Sequence, residues 1–161
     1  MKGIIICGYQ GIGKSSWAGK GNLIDLESSN FHHAENAENW FVTYVDVAID
    51  LARQGFVVFV SCHEKVRKQL WDKALEFDNI GLVHPIVLCP NINLENEWVL
   101  KLEERYKRTG LDKDLRSYRR AKEHFKEDID KIIKNYKPVY ALDSMDYTLD
   151  VVVKNIISEL I

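Results

Sequence analysis

Apolar residues in this chain fall into five short and nearly continuous runs, rich in Val and Ile, with longer mixed segments between them. Continuous apolar runs of this length fit strands that are buried on both faces of a parallel sheet. A strand with one solvated face would instead alternate apolar and polar positions. We therefore predict strands over residues 3–7, 22–26, 56–61, 86–89 and 139–142.

The mixed segments carry the spacing of amphipathic helices. In residues 38–53, apolar side chains recur at intervals of three or four positions, and Gly55 follows, as is typical just past a helix end. Similar patterns predict further helices over residues 64–77, 94–108, 113–135 and 149–160, with a break at Thr109 and Gly110.

Strands that alternate with helices imply right-handed crossovers and a parallel sheet covered on both faces. The chain has 161 residues, which fits one such α/β domain over residues 1–161. The two long charged helices, within residues 94–136, show no obvious connection between strands. We expect them to form a helical flap, or lid, on one edge of the sheet.

Composition and charge argue against several classes of function. The net charge of -2 argues against a general nucleic-acid or membrane-surface binder, because such proteins need a basic excess. No apolar run approaches the roughly 20 residues of a membrane span, and the first run is too short for a signal peptide. The three cysteines show no metal or disulfide spacing. We expect a cytoplasmic protein with reduced thiols.

The first predicted strand leads into an unbroken match to the phosphate-binding pattern G-x-x-x-x-G-K-[ST]. Glycines let the backbone wrap closely and point N–H groups at phosphate oxygens, and the following helix turns its positive end towards the anion. Lys14 can reach the β- and γ-phosphates, and the Ser15 hydroxyl can ligate Mg²⁺. The predicted nucleoside triphosphate site comprises Gly8, Tyr9, Gln10, Gly11, Ile12, Gly13, Lys14, Ser15 and the adjacent Ser16.

Polar side chains follow the second and third predicted strands, at the edge where parallel α/β sheets bind ligands. Asp25 and Glu27, two residues apart on a strand, point to the same side and fit a Mg²⁺-bound water or an acceptor hydroxyl. Ser61 stands where a Walker B acid is usual. After it come His63, Lys65 and Arg67, which fit an acidic group on the acceptor. The alternatives are a solvated acidic turn at the first position and a helix cap with solvated side chains at the second.

Basic residues cluster on both sides of the break at Thr109 and Gly110. Phosphoryl transfer needs positive charge over the moving group, and the planar guanidinium suits phosphate oxygens. These residues are interpreted as parts of a closing lid or, alternatively, as solvated helix faces paired with nearby carboxylates. They are Lys101, Arg105, Arg108, Arg116, Arg119 and Arg120.

Taken in order, these pieces resemble the small P-loop kinases, which include adenylate and other nucleoside monophosphate kinases, with gluconate and shikimate kinases as relatives. The matching pieces are the phosphate loop, Asp25, the segments 57–67 and 86–108, and the ending at 142–144 before an amphipathic helix. The resemblance implies a three-layer P-loop NTPase fold with a five-stranded parallel sheet and a helical lid.

The resemblance also implies roles for individual residues. Catalytic roles fall to Lys14, Arg105, Arg108 and Arg119. The ATP site gains Arg116, Arg120 and, beside the adenine, Ser144, while Mg²⁺ is held by Ser15 and Asp25. The acceptor is bound by Asp25, Glu27, Trp40, Ser61, His63 and Arg67.

The resemblance favours an enzyme that uses ATP and Mg²⁺ to phosphorylate a small-molecule acceptor, a (deoxy)nucleoside monophosphate. The chain departs from that group in three ways. The segment between Lys14 and Asn22 allows only a short helix, no arginine precedes Arg53, and the Asp-Gly-x-Pro-Arg turn of adenylate kinases is absent. Two alternatives therefore stay open: a kinase for a gluconate- or shikimate-type molecule, and an ATP-binding switch protein without phosphotransfer.

Overall fold

The computed structural model describes residues 3–13, 21–32, 38–78 and 83–160. Lys14, Ser15 and Ser16 of the phosphate loop lie outside this range. The strands are β1 Gly3–Gly8, β2 Leu23–Asp25, β3 Val57–Ser61, β4 Val83–Pro90 and β5 Val139–Leu142. The helices are α1 Trp40–Arg53, α2 Glu64–Asp78, α3 Glu95–Thr109, α4 Asp112–Asn135 and α5 Leu149–Leu160, with short 3-10 turns at Ser28–Phe31 and Ile92–Leu94.

These strands form one parallel sheet in the order β2-β3-β1-β4-β5. β1 lies at the centre, and the chain adds β2 and β3 on one side before it crosses to β4 and β5 on the other. The register sets Gly8, the last residue of β1, opposite Ser61 of β3, and sets Asp25 of β2 opposite Phe59. The ends of three strands therefore meet at the edge where such sheets bind ligands. The predicted α/β fold with a five-stranded parallel sheet is confirmed.

In helix α1, the apolar positions predicted from the sequence form the face that packs against the core. It begins slightly later than predicted, at Trp40, and Gly55 follows its end with φ of +98°, a conformation that favours glycine. The Gly55 N–H donates to the carbonyl of Ala52 at 3.0 Å, which satisfies one of the last helix carbonyls. The buried face of α1 consists of Trp40, Tyr44, Val45, Ala48, Ile49 and Ala52.

The charged helices α3 and α4 correct one expectation from the sequence, since they do connect strands: they lead from β4 to β5. The break between them is confirmed, because Gly110 adopts a left-handed conformation with φ of +66° and its N–H donates to the Tyr106 carbonyl at 2.7 Å. Each helix carries an apolar stripe beneath its charged exterior. The stripes join the core through Trp98, Leu102, Ala121, Phe125, Ile129 and Ile132.

Within the described residues, no helix combines the length and the apolar character needed to cross a membrane.

Candidate functional site

The described part of the phosphate loop leaves the sheet at Gly8 and turns, with the N–H of Ile12 donating to the carbonyl of Tyr9 at 3.1 Å. Gly11 and Gly13 have φ values of +84° and +97°. Residues with a side chain rarely adopt such values, so this backbone path depends on glycine at both positions. The positive φ values therefore explain why the phosphate-binding pattern has glycine at these positions.

A cavity of about 430 Å³ opens beside this loop, a volume typical of small-molecule sites. Its walls come from the loop, the ends of β2 and β3, the start of α2, and residues of α3 and α4. The predicted site residues that line it are Gly8, Tyr9, Gln10, Gly11, Ile12, Gly13, Asp25, Glu27, Ser61, His63, Arg67, Arg105 and Arg120. The structure therefore brings together the described donor loop, both acceptor-side acids and two of the predicted lid arginines.

Two other predicted residues lie away from the cavity lining found in the described chain. Ser144 is exposed, and its Oγ accepts a hydrogen bond from the N–H of Asp146 at 3.0 Å. Trp40 is buried, with its ring 4.0 Å from the ring of His32 and 6.0 Å from that of His63, measured between centroids. Trp40 therefore packs near His63, which lines the cavity, but does not line the cavity itself.

The ends of β2 and β3 are joined by a buried tyrosine on α1. The Tyr44 hydroxyl donates to the carbonyl of Leu26 at 2.6 Å and accepts from the N–H of Ser61 at 2.9 Å. Burial raises the pKa of Tyr44, so the hydroxyl keeps its proton and both hydrogen bonds. This bridge fixes the backbone beside Asp25 and Glu27.

His63 lies at the start of α2 and caps its first turn. Its N–H donates to the Oγ of Ser61 at 3.2 Å, and its Nδ1 accepts from the N–H of Lys65 at 3.2 Å. Desolvation lowers the pKa of His63, and the charges of Lys65 and Arg67 lower it further. The ring is therefore neutral at pH 7, and the accepting Nδ1 assigns its proton to Nε2.

Arg67 is a buried cation at the cavity wall, with 7% of its surface exposed. Its Nη1 donates to the carbonyl of Cys62 and lies 3.8 Å from the Cys62 Sγ, while the guanidinium lies 5.3 Å from the centre of the Tyr136 ring. In the described part of the chain no carboxylate forms an ion pair with it, and its Nε has no hydrogen-bond partner. Buried guanidinium groups normally have an anionic partner.

The two cavity-lining lid arginines are already paired with carboxylates. The Nε of Arg105 lies 3.0 Å from the Oδ1 of Asp114, and Arg120 binds both oxygens of Asp128, at 2.8 and 2.6 Å. The remaining lid arginines are exposed and lie outside the described cavity lining: Arg108, Arg116 and Arg119.

Asp114 and Asp128 were not predicted as the partners of these arginines. Both are buried and line the cavity. A signal was present on α4, because Asp128 lies three residues after Phe125 and Asp114 lies seven residues, or two helical turns, before Ala121. An acidic residue on the apolar stripe of a helix needs a partner when it is buried.

Comparison with known proteins bears on the fold. No protein-family model matches the chain, and no curated protein matches it. Among solved structures, the chain is similar to the crystal structure of a gluconokinase from Sinorhizobium meliloti 1021, with a TM-score of 0.53 and 17% sequence identity. The match covers 99% of this chain and 91% of that chain. The likeness therefore spans nearly the whole chain and shows that it shares the fold of that protein.

Proposed function

We propose that this chain is a phosphotransferase that passes the terminal phosphoryl group of ATP to a small-molecule acceptor. One observation carries the proposal: a single cavity joins the phosphate-loop backbone, the carboxylates of Asp25 and Glu27, and the guanidinium groups of Arg105 and Arg120. These are the parts that phosphoryl transfer needs, because its catalysis consists mainly of positioning and charge stabilisation.

The donor side fits Mg²⁺ and ATP. The glycine-dependent turn lines the cavity, and Lys113 and Lys131 add positive charge to its walls. Among the described residues no group of three or more His, Cys, Asp or Glu side chains is arranged for a metal ion, and Mg²⁺ would be held by the phosphate oxygens and the predicted ligand Ser15. ATP, when bound, supplies the phosphorus that the acceptor oxygen attacks.

The residues of the chain then have distinct tasks. Asp25 would accept a hydrogen bond from the acceptor hydroxyl and take its proton as the new oxygen–phosphorus bond forms, while the bond between the γ-phosphorus and the bridging oxygen breaks and ADP leaves with that oxygen. Arg120 and Arg105 balance the negative charge on the transferred group. Tyr44 holds the strand ends that carry the acid, through its hydrogen bonds of 2.6 and 2.9 Å.

The acceptor that this cavity fits best is a small acid that carries a hydroxyl group. Asp25 and Glu27 suit the hydroxyl, and Arg67, a buried cation that forms no ion pair with a described carboxylate, suits the acidic group. A nucleoside monophosphate, which the sequence favours, would bring a doubly charged phosphate towards the two carboxylates. Like charges at short range raise the free energy of binding, so the geometry supports that acceptor less well.

An acceptor panel tests the proposal. ADP release from MgATP is measured with hydroxy acids, neutral polyols and nucleoside monophosphates, and we expect hydroxy acids to raise the rate most. Asp25→Asn should lower kcat at least a hundredfold, within the usual effect of a general base. Asp46→Asn, at an exposed position of α1, is the matched control. If no compound raises ADP release above the rate without acceptor, phosphotransfer is refuted and the switch-protein alternative is favoured.

Arg67 has its own test within the same panel. Arg67→Met should raise KM for hydroxy acids about tenfold or more, because the lost interaction is between charged groups, and should leave KM for neutral polyols nearly unchanged. Lys68→Met, at the exposed neighbouring position, should change neither value. If Arg67→Met changed KM equally for hydroxy acids and neutral polyols, Arg67 would have a structural role and would not bind the acidic group.

A further inference from the structure

Two backbone carbonyls of the phosphate loop are held from outside by aromatic side chains. The indole Nε1 of Trp98 on α3 donates to the carbonyl of Gln10 at 2.8 Å. The hydroxyl of Tyr147, which precedes α5, donates to the carbonyl of Ile12 at 2.8 Å. The loop is thus tied to two segments that lie far from it in the sequence.

These bonds fix the direction of the neighbouring amides. In a trans peptide unit the C=O and the N–H of the next residue point in opposite directions. Because Trp98 holds the carbonyl of Gln10, the N–H of Gly11 points away from Trp98. Because Tyr147 holds the carbonyl of Ile12, the N–H of Gly13 points away from Tyr147. Phosphate loops bind anions through such amides.

Trp98 and Tyr147 are themselves held by neighbouring side chains. Trp98 is fully buried, and its ring is nearly parallel to that of Tyr147, with an angle of 7° and 6.4 Å between the centroids. Lys101 Nζ donates to the Tyr147 hydroxyl at 3.1 Å, which leaves the hydroxyl proton for Ile12. The same Nζ lies 4.5 Å from the Trp98 ring centre and 5.2 Å from that of Tyr147, a double cation–π contact.

The loop also lies directly against α3. A methyl group added at Gly11 would sit 2.8 Å from Cδ2 of Leu102 and 3.3 Å from Nε1 of Trp98. Leu102 is buried, so it has little freedom to move aside. The backbone at Gly11 is therefore held by van der Waals contact as well as by the hydrogen bond to Gln10.

We propose that Trp98 and Tyr147 are positioning residues that hold the amides of Gly11 and Gly13 in the orientation that binds the triphosphate, before the ligand arrives. A loop that is already ordered loses less conformational freedom on binding, which strengthens the affinity. This inference rests on the proposed function, since it requires the loop to bind a triphosphate. Trp98 and Tyr147 act through the backbone and not by touching the ligand.

The test uses the full chain with variants that remove one hydrogen-bond donor each. Trp98→Phe and Tyr147→Phe should each weaken binding of MgATP and of inorganic tripolyphosphate about tenfold in calorimetry, which corresponds to one lost hydrogen bond. The matched controls are Trp71→Phe, which removes an indole donor to the carbonyl of Lys137 just before β5, and Tyr140→Phe in β5.

A second measurement separates positioning from general damage. The ¹H–¹⁵N amide signals of Gly11 and Gly13 in the ligand-free protein should shift in both donor variants and remain unchanged in the two controls. Lys101→Met gives an independent route, because it removes the support of Tyr147 and should weaken tripolyphosphate binding in the same direction. This variant serves if Trp98→Phe fails to fold.

The outcomes are distinguishable. Normal tripolyphosphate affinity in Tyr147→Phe and in Lys101→Met would overturn the inference while leaving the proposed function intact. Failure of the unaltered chain to bind either MgATP or tripolyphosphate would refute the proposed function, and the inference with it. A loss of affinity in the donor variants, with normal affinity in the two controls, supports the positioning role.

Discussion

Arg120 and Asp128 lie eight residues apart on α4, yet their side chains form two hydrogen bonds, with Nε to Oδ2 at 2.8 Å and Nη2 to Oδ1 at 2.6 Å. Eight residues of helix span roughly 12 Å, so the arginine is extended along the helix surface beside the cavity. Two of the five guanidinium N–H donors are occupied by Asp128, which leaves the other three available to a further acceptor such as a phosphate oxygen. Asp128 therefore holds Arg120 at the wall of the cavity in which we propose that phosphoryl transfer takes place.

This relationship predicts unequal effects for neighbouring arginines. Arg120→Ala should lower kcat for phosphoryl transfer about a hundredfold or more, because it removes charge stabilisation at the cavity. Arg119→Ala should change kcat less than about threefold, because Arg119 does not line the described cavity and solvent and salt screen a charge that lies away from the transferred group. Steady-state kinetics with saturating MgATP checks both, and equal losses would contradict the assignment.

A second prediction concerns the hairpin between α3 and α4. Asp114 has a buried side chain that accepts hydrogen bonds from Arg105 and from the hydroxyl of Thr109. Asp114→Ala should lower the free energy of unfolding by about 2 kcal/mol, because it leaves a half-buried guanidinium and a hydroxyl without their acceptor. Urea denaturation measures the change. Asp112→Ala in the same helical turn is exposed and should lower it by less than about 1 kcal/mol.

The glycines of the phosphate loop allow a third prediction. Both Gly11→Ala and Gly13→Ala force a side chain into a left-handed conformation, at about 1–3 kcal/mol each. Gly11→Ala adds the clash with Leu102 at 2.8 Å, whereas a methyl group at Gly13 meets no described atom within 4 Å. Gly11→Ala should therefore destabilise the chain by about 1–3 kcal/mol more than Gly13→Ala. Thermal and urea unfolding measure the free energy of unfolding of both variants. Equal losses in the two variants would contradict this prediction.

A fourth prediction follows from His63, whose pKa is lowered from 6.5 by desolvation and by the charges of Lys65 and Arg67. Below pH 6.5 the unfolded chain binds more protons at this position than the folded chain, so stability falls as the pH decreases towards the folded-state pKa. His63→Asn keeps a capping side chain and should flatten this decline. Urea denaturation between about pH 7.5 and pH 5 measures the decline, with His32→Asn as the control. An unchanged slope in His63→Asn would contradict the assignment.

Local patterns were enough to predict much of the fold. The strand at residues 139–142 and the helix at residues 149–160 have the predicted bounds, and the break at Gly110 lies where expected. These features depend on nearest neighbours along the chain, on helical or strand periodicity, and on the conformational freedom of glycine. The order of the strands was not predicted, because it depends on which faces pack together.

In the candidate site, too, some features could be predicted from local patterns and others could not. The phosphate-loop pattern and the acids after β2 could be recognised from residue types and spacing alone. The partners of Arg105 and Arg120 could not, because an exposed and a buried carboxylate look alike in a sequence. The contacts of Trp98 with Gln10 and of Tyr147 with Ile12 span 88 and 135 residues.

The sequence by itself determined the alternation of strands and helices and the glycine-rich turn that fits a triphosphate, since local sterics and hydrophobic burial govern both. Only the tertiary structure decided which arginines face the cavity, which carboxylates hold them, and which side chains support the loop. Those outcomes depend on how α3, α4 and the segment before α5 pack against the loop that follows β1, and packing between distant segments leaves no periodic signal in the chain.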